Sequence, residues 1–331
     1  MNDILVVKGI DIVYETQDGF VHALNGIDLA LKEGSSVGLV GETGAGKTTL
    51  AKGIMRLTRS PPGIIRKGQI LYQNMDILTL DDEKTREMRG KEISMIFQDP
   101  MTSLNPVMTV GEQIAEAVIT HKKISNTEAM DEAQAMLELV GIPKERCHEY
   151  PHQFSGGMKQ RVIIAIALAC NPKVLIADEP TTALDVTIQA QVLDLMNNLR
   201  SKLKTTMLLI THDLGVVAQN CEYVAVIYAG EIVEYGTVHE VFKNMKHPYT
   251  VGLFNSLPSL TKTVKRLIPI EGLMPDPMNL PNGCKFSTRC KWATGLCNEQ
   301  HPEMVAVDGE HIVRCFIQEG KVGKGVNNDT E

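Results

Sequence analysis

Residues 41–48 read Gly41-Glu42-Thr43-Gly44-Ala45-Gly46-Lys47-Thr48, and the fold turns on how this stretch is read. The spacing of Gly, four residues, Gly, Lys and Thr is the phosphate-loop pattern. Its flanks agree. Ser36–Val40 (SVGLV) is a short apolar run that predicts a buried strand, and Thr49–Leu57 can continue as a helix. Glycines let a backbone wrap around phosphate with dihedrals that side chains forbid. Successive N–H groups then point inward, and the helix behind them presents its positive end. Lys47 brings a full charge for the β- and γ-phosphates, the Thr48 hydroxyl is placed for Mg²⁺, and Thr49 completes the cradle at the first helical turn. The stretch predicts a chain that binds a nucleoside triphosphate.

Length and composition bound what surrounds this loop. The 331 residues suffice for about two domains. A hydrophobic content of 43% supports a full core, unlike a disordered chain. The 33 Lys and Arg against 40 Asp and Glu leave a net charge of −7, which argues against a dedicated nucleic-acid binder. No apolar run approaches about 18 residues, so no membrane span is expected. The N-terminus lacks a signal-peptide layout, so a cytosolic chain that can still dock on a membrane protein is expected. Seven cysteines in a reducing compartment are unsuited to a disulfide scaffold. Cys147, Cys170 and Cys221 are scattered, whereas Cys284, Cys290, Cys297 and Cys315 cluster.

The chain then alternates between strand and helix patterns. Residues 4–14 and 21–32 predict antiparallel strands around a Gly19 turn. Tyr14, near the end of the first, is either a base-stacking aromatic or an ordinary strand residue. Residues 68–72 predict another strand, 81–90 a charged helical turn, and Ile93–Phe97 a buried strand ending at Gln98. Residues 110–120 and 127–140 predict helices, the second capped by Ser125 or Asn126 and stopped by Gly141 and Pro143. The interval of about 101–170 reads as a helical subdomain inserted into an α/β chain. Met207–Ile210 predicts a core strand, 223–228 and 231–235 a hairpin through Ala229-Gly230, and 238–245 a short helix. The composition changes at His247-Pro248, which predicts a domain boundary near 245.

Chemistry-bearing residues gather at the ends of these strands. Gln98 either contacts a metal or water or simply hydrogen-bonds its strand end. Ser155-Gly156-Gly157 opens a long apolar helix and is either a second anion site or only an N-cap. Val174–Ala177 predicts a core strand capped by Asp178 and Glu179, where open α/β sheets place ligands. On a continuing strand these two carboxylates point to opposite faces, which suits Asp178 to the metal and Glu179 to the base for water. Asp185 follows a Pro-Thr-Thr turn and precedes a helix over about 186–202. His212 ends the next strand, placed for a γ-phosphate or the attacking water. Four functional-type residues at strand ends raise each other's weight.

Taken together these residues resemble the ATP-binding subunit of ABC transporters, over residues 4–245. The phosphate loop 41–48, Gln98, Ser155-Gly156-Gly157, Asp178-Glu179, the Asp185 loop and His212 follow in the family's order. Tyr14 then falls where the family stacks an aromatic on the base. One departure is visible: the common Leu-Ser-Gly-Gly-Gln is here Phe154-Ser155-Gly156-Gly157-Met158. The stretches Gln98–Pro106 and FSGGMKQRV look like the oligopeptide/dipeptide/nickel importer branch. The resemblance implies an α/β P-loop NTPase fold with a RecA-like core, an antiparallel β subdomain and the inserted helical subdomain. It also implies that two such domains sandwich two ATP molecules head to tail, the loop of one facing Ser155-Gly156-Gly157 of the other. The second ATPase subunit is expected to be a paralogue. Membrane permease subunits would dock near Gln98–Pro106, and an extracytoplasmic solute-binding protein would act indirectly. The chain would sit at the cytoplasmic face of the membrane. Glu179 would polarise water, with Lys47, Gln98 and His212 completing the catalytic set. Mg²⁺ would be held by Thr48, Gln98 and, through water, Asp178.

Residues 246–331 resemble the C-terminal extension of peptide-importer ATPases. Cys284, Cys290, Cys297 and Cys315 are separated by five, six and seventeen residues, and Cys315 follows a strand-like HIVR (311–314). Zinc usually takes a tight pair roughly two to four residues apart, which is missing. The wider steps suit a [4Fe–4S] cluster, and the resemblance points the same way. Zinc and four unlinked thiols remain the alternatives. A small lobe with little apolar core would gain stability from metal. The leading expectation is the ATPase of a di- or oligopeptide importer. A nickel or small-solute importer, a soluble ABC ATPase and a redox-sensing regulator are its rivals.

Overall fold

The computed structural model describes residues 2–182, 184–256 and 269–322. The parts of the predicted 246–331 extension at 257–268 and 323–331 lie outside the described residues. In chain order the strands are β1 (Asp3–Thr16), β2 (Gly19–Lys32), β3 (Ser36–Val40), β4 (Gly63–Tyr72), β5 (Met75–Asp76), β6 (Ile93–Ile96), β7 (Val174–Asp178), β8 (Thr206–Ile210), β9 (Tyr223–Tyr228), β10 (Glu231–Thr237), β11 (Met304–Asp308) and β12 (His311–Arg314). The chain divides into two compact units. One comprises residues 1–4, 31–36 and 76–211, the other residues 5–30, 37–75 and 212–331.

The first unit is built on β6, β7 and β8, paired in parallel with Ile96 opposite Ala177 and Asp178 opposite Ile210. Every residue of the three strands is buried. Parallel strands covered on both faces require near-continuous apolar runs, and ISMI, VLIAD and TMLLI supply them. A parallel pair also needs a long crossover. Between β6 and β7 the chain forms the helices Val110–His121, Asn126–Leu139 and Gly156–Leu168. The first two begin in capping boxes, Thr109 with Glu112 and Ser125 with Glu128. Each box satisfies two backbone donors that the helix start would otherwise orphan. β6 stops at Ile96, one residue short of the predicted strand, and Phe97 is 44% exposed. Its apolar character reads as strand, but the chain has already left the sheet.

The second unit holds the antiparallel sheet, in the order β2-β1-β4-β5. Tyr14 of β1 pairs with Gly63 of β4. The phosphate-loop strand β3 runs parallel to β9, with Val40 opposite Val226. The β9–β10 hairpin turns through Ala229 (φ 44°) and Gly230 (φ 78°). Two successive positive φ values match the right-handed twist of a tight hairpin.

The predicted boundary near 245 does not divide this unit. β12 pairs with β10, Glu234 facing Val313. Tyr249 and Phe286 are buried in one apolar cluster with Val40, Val224 and Val226. The change of composition at His247-Pro248 coincides with a helix start: His247 caps the helix Pro248–Asn255 through Nδ1, which accepts the Tyr249 N–H at 3.1 Å. Pro at the first helical position suits such a start. Buried Glu234 fastens the same corner, accepting the N–H groups of Lys246 (2.7 Å) and His247 (2.9 Å), with His311 Nε2 at 2.7 Å. Removal from water pushes the His247 pKa down to about 4, so the ring is neutral and Nδ1 is free to accept. No helix among the described residues is long and apolar enough to cross a membrane.

Candidate functional site

In the second unit, the chain leaves β3 at Val40 and enters the loop at Gly41. Gly41 is buried against β9: a Cβ there would collide with the carbonyl oxygen of Ile227. Gly46 has φ 107°, and its Cβ would lie 2.6 Å from the Ala23 carbonyl oxygen. Gly44 has φ 84°. These three positions require glycine for space, for backbone angle, or for both. Gly46 is the N-cap of the helix Lys47–Ile54 and gives it no side-chain cap. The first N–H groups of that helix, those of Thr48 and Thr49 among them, have no acceptor within the helix, and half-buried Thr48 and Thr49 follow the loop directly. Lys47 is 6% exposed, and its Nζ donates to the carbonyls of Gly41 (2.7 Å) and Glu42 (3.1 Å). Thr43 and Gly44 are exposed, and Ala45 is buried. Ala45 accepts the Gly230 N–H at 3.0 Å, which ties the loop to the β9–β10 turn.

Two further candidates lie in this unit. Tyr14 is half-buried beside Gly63, whose Cβ would stand 3.1 Å from the Tyr14 ring. His212 follows β8 and is exposed, next to Asp213, which caps the helix Leu214–Asn220.

The first unit carries the carboxylates. Asp178, the last residue of β7, is 1% exposed. Glu179 has already left the strand. Its φ is 47°, in the left-handed region, while its N–H still donates to the Ile210 carbonyl at 2.9 Å. Strand alternation therefore does not separate the two side chains; a left-handed turn does. That conformation costs about 1–3 kcal/mol in a non-glycine residue, and such strain gathers at functional sites. The Glu179 carboxylate accepts from the Gln98 amide (3.0 Å) and the Thr182 hydroxyl (3.0 Å), both through Oε2. Gln98 and Glu179 are thus brought together, and Thr182 is a partner that the sequence did not single out.

Ser155 and Asp185 are both exposed helix caps. Ser155 Oγ accepts the Met158 N–H at 3.4 Å, and Asp185 Oδ1 accepts the Ile188 N–H at 3.0 Å. Ser155 is therefore an N-cap, with Gly156 exposed and Gly157 half-buried behind it. The two helix starts touch: a Cβ on Gly157 would lie 2.5 Å from Ile188 Cγ2.

The four clustered cysteines are half-buried and free of disulfides. Burial raises the pKa of Cys284, Cys290 and Cys315, and nearby cysteines of the lobe add to the rise. The backbone links Cys284 to Cys297, with the Cys284 N–H on the Cys297 carbonyl at 2.8 Å. Backbone N–H groups of Phe286, Trp292 and Ile317 hydrogen-bond the sulfurs of Cys284, Cys290 and Cys315. Burial pushes the Cys284 thiol up to about 12 and that of Cys315 to about 11. The donor set, four soft sulfurs with N–H groups aimed at three of them, suits a thiophilic metal. Among the described residues, however, no three His, Cys, Asp or Glu side chains stand in a metal-ligating arrangement.

Comparison with known proteins places this architecture. Residues 24–182 match the ABC transporter family, and residues 233–297 match the oligopeptide/dipeptide transporter C-terminal region. The chain is 49% identical to the oligopeptide transport ATP-binding protein OppD of Bacillus subtilis, covering 95% of this chain and 88% of that one. It is 45% identical to the dipeptide transport ATP-binding protein DppD of the same organism, covering 98% of each. Among solved structures it is similar to the dimeric, post-hydrolysis ATP-binding cassette MJ0796 bound to ADP and Pi. There the identity is 28% and the TM-score 0.64, over 71% of this chain and 98% of that one. CbiO1 of Clostridium perfringens, part of the ABC transporter complex cbiONQ, matches at 30% identity with a TM-score of 0.63, over 76% and 96%. The chain belongs to the ABC transporter family, among its ATP-binding subunits.

Proposed function

We propose that this chain is the ATP-hydrolysing subunit that powers uptake of di- and oligopeptides through a membrane permease. The observation that carries the reading is the near full-length match to relatives named for oligopeptide and dipeptide transport, together with the C-terminal region that bears the same name. In this reading the loop 41–48 wraps the phosphates of ATP. Lys47 exchanges its two carbonyl partners for phosphate oxygens, and Tyr14 stacks on the base. Thr48, Gln98 and Asp178 offer hydroxyl, amide and buried carboxylate oxygens, a hard donor set that suits Mg²⁺; the ion supplies positive charge to the phosphate oxygens. Glu179 takes a proton from water as that water's oxygen bonds the γ-phosphorus. The bond from the γ-phosphorus to the bridging oxygen breaks, and ADP leaves with its electron pair. Gln98 and Thr182 hold the Glu179 carboxylate in place, and His212 steadies the γ-phosphate or the water.

Ser155, Gly156 and Gly157 close on the ATP of a second, paralogous ATPase subunit, alongside Asp185. The helical stretch of about 101–170 acts as a subdomain, and the segment near Gln98–Pro106 docks on the permease at the cytoplasmic face of the membrane. A solute-binding protein delivers peptide from the other side. Cys284, Cys290, Cys297 and Cys315 hold a structural [4Fe–4S] cluster, a reading supported by their soft donor set and by the backbone bond from Cys284 to Cys297. Anaerobic purification of the intact complex tests both parts. Peptides in the bound solute and about four irons per chain, with visible charge-transfer absorbance, are expected. A nickel chelate as solute would overturn the peptide reading, and stoichiometric zinc without iron would overturn the cluster.

A further inference from the structure

Glu42, the second residue of the phosphate loop, is held from three sides within the second unit. Its carboxylate accepts both terminal nitrogens of Arg289, at 2.7 Å and 3.1 Å. Its N–H donates to the Tyr249 hydroxyl at 2.9 Å. Its carbonyl accepts Lys47 Nζ at 3.1 Å. Arg289 lies 247 residues away in sequence, directly before Cys290, and its side chain is only 4% exposed. It does not hang free. Nε donates to the Glu271 carbonyl at 3.1 Å, and the guanidinium lies over the rings of Tyr228 (5.8 Å) and Phe286 (5.9 Å). The Tyr228 and Tyr249 rings are 4.5 Å apart, so both anchors of Glu42 rest on one aromatic cluster.

Lys47 must release the Gly41 and Glu42 carbonyls when it turns to phosphate. Of the three anchors on Glu42, only those from Arg289 and Tyr249 survive that change. A bidentate, charge-assisted pair fixes orientation as well as distance, and its planar fork is already rigid before nucleotide arrives. We propose that Arg289 is a positioning residue of the nucleotide site: with Tyr249 it holds Glu42, and so keeps the loop's N–H groups convergent on phosphate once Lys47 lets go. The proposal rests on the reading of residues 41–48 as the ATP loop and assigns part of that loop's preorganisation to the cysteine-bearing segment.

The test is ATP affinity of the full-length subunit, with KM and kcat of the assembled complex. Arg289→Ala weakens ATP binding at least about ten-fold, because it removes the bidentate, charge-assisted partner that holds the half-buried Glu42 carboxylate. Glu42→Ala weakens it similarly, and the double variant is no weaker than Arg289→Ala alone, the mark of one shared contact. Arg289→Lys recovers part of the loss, keeping the charge without the fork. KM for ATP rises while kcat at saturation stays near wild type, a split that a general loss of packing would not give. Wild-type affinity in a folded Arg289→Ala chain, or additive losses in the double variant, would overturn the proposal. If Arg289→Ala does not fold, Glu42→Gln decides: weakened binding supports the proposal and wild-type binding overturns it. Failure of the wild-type chain itself to bind ATP would strike the nucleotide reading instead.

Discussion

Glu179→Gln binds ATP with wild-type affinity and hydrolyses it about 10²–10⁴-fold more slowly, the range that a positioned general base contributes. The substitution changes one atom and removes the ability to take a proton. The backbone turn that carries residue 179 stays as it is: φ 47° with its N–H on Ile210. The amide oxygen of a glutamine still accepts from Gln98 and Thr182, which now hold the carboxylate at 3.0 Å each. Nucleotide contacts made by the loop 41–48 are untouched, so binding survives and the ATP-bound dimer accumulates. Single-turnover hydrolysis beside equilibrium ATP binding separates the two effects. Near-normal turnover would remove Glu179 from the mechanism.

Gly41→Ala tests the loop from the packing side. Its Cβ would collide with the Ile227 carbonyl oxygen and stand 3.0 Å from Ile227 Cγ2. That carbonyl cannot retreat cheaply. Ile227 pairs with Ile232 across the hairpin, and the neighbouring Val226 pairs with Val40 of β3. Relief must come from the loop, whose next residue is tethered by Arg289 and Tyr249. Overpacking of this kind costs about 1–3 kcal/mol. Melting should fall by about 2–10 °C. Displacement of the loop by about 1 Å should lower kcat/KM for ATP about a hundred-fold, since misplacement on that scale is costly in positioned chemistry. Thermal melting and steady-state kinetics read both. A variant with wild-type melting and kinetics would mean that the strand-to-loop junction is not rigid.

Much of this was legible because the relevant signals are local. The phosphate loop announces itself by spacing, and β6, β7 and β8 by continuous apolar runs. Gly19, Ser125 and the Ala229-Gly230 turn follow from backbone chemistry that single residues carry. What escaped was non-local or conformational. The left-handed turn at Glu179 left no mark, because a glutamate after a strand reads as more strand. Phe97 misled for the same reason. Tyr249 and Arg289 reach Glu42 from more than 200 positions away, and no periodicity links them. His247-Pro248 is visible as a change of composition, but its part as cap and first residue of a helix, and the core shared by Tyr249, Phe286 and Val40, depend on the folded backbone and on contacts distant in sequence. The cysteine spacing singles out four half-buried thiols of one lobe, but among the described residues no three metal-ligating side chains are grouped.

The central claim, that ATP hydrolysis at this loop drives peptide uptake, is tested most directly by peptide-dependent hydrolysis in the complex reconstituted into lipid vesicles. Labelled oligopeptide and its binding protein are supplied on one side and ATP on the other. Hydrolysis and peptide accumulation should rise together with added peptide, and both should fall about 10²–10⁴-fold in the Glu179→Gln complex. Hydrolysis that proceeds at the same rate without peptide or permease, with no accumulation, would contradict it.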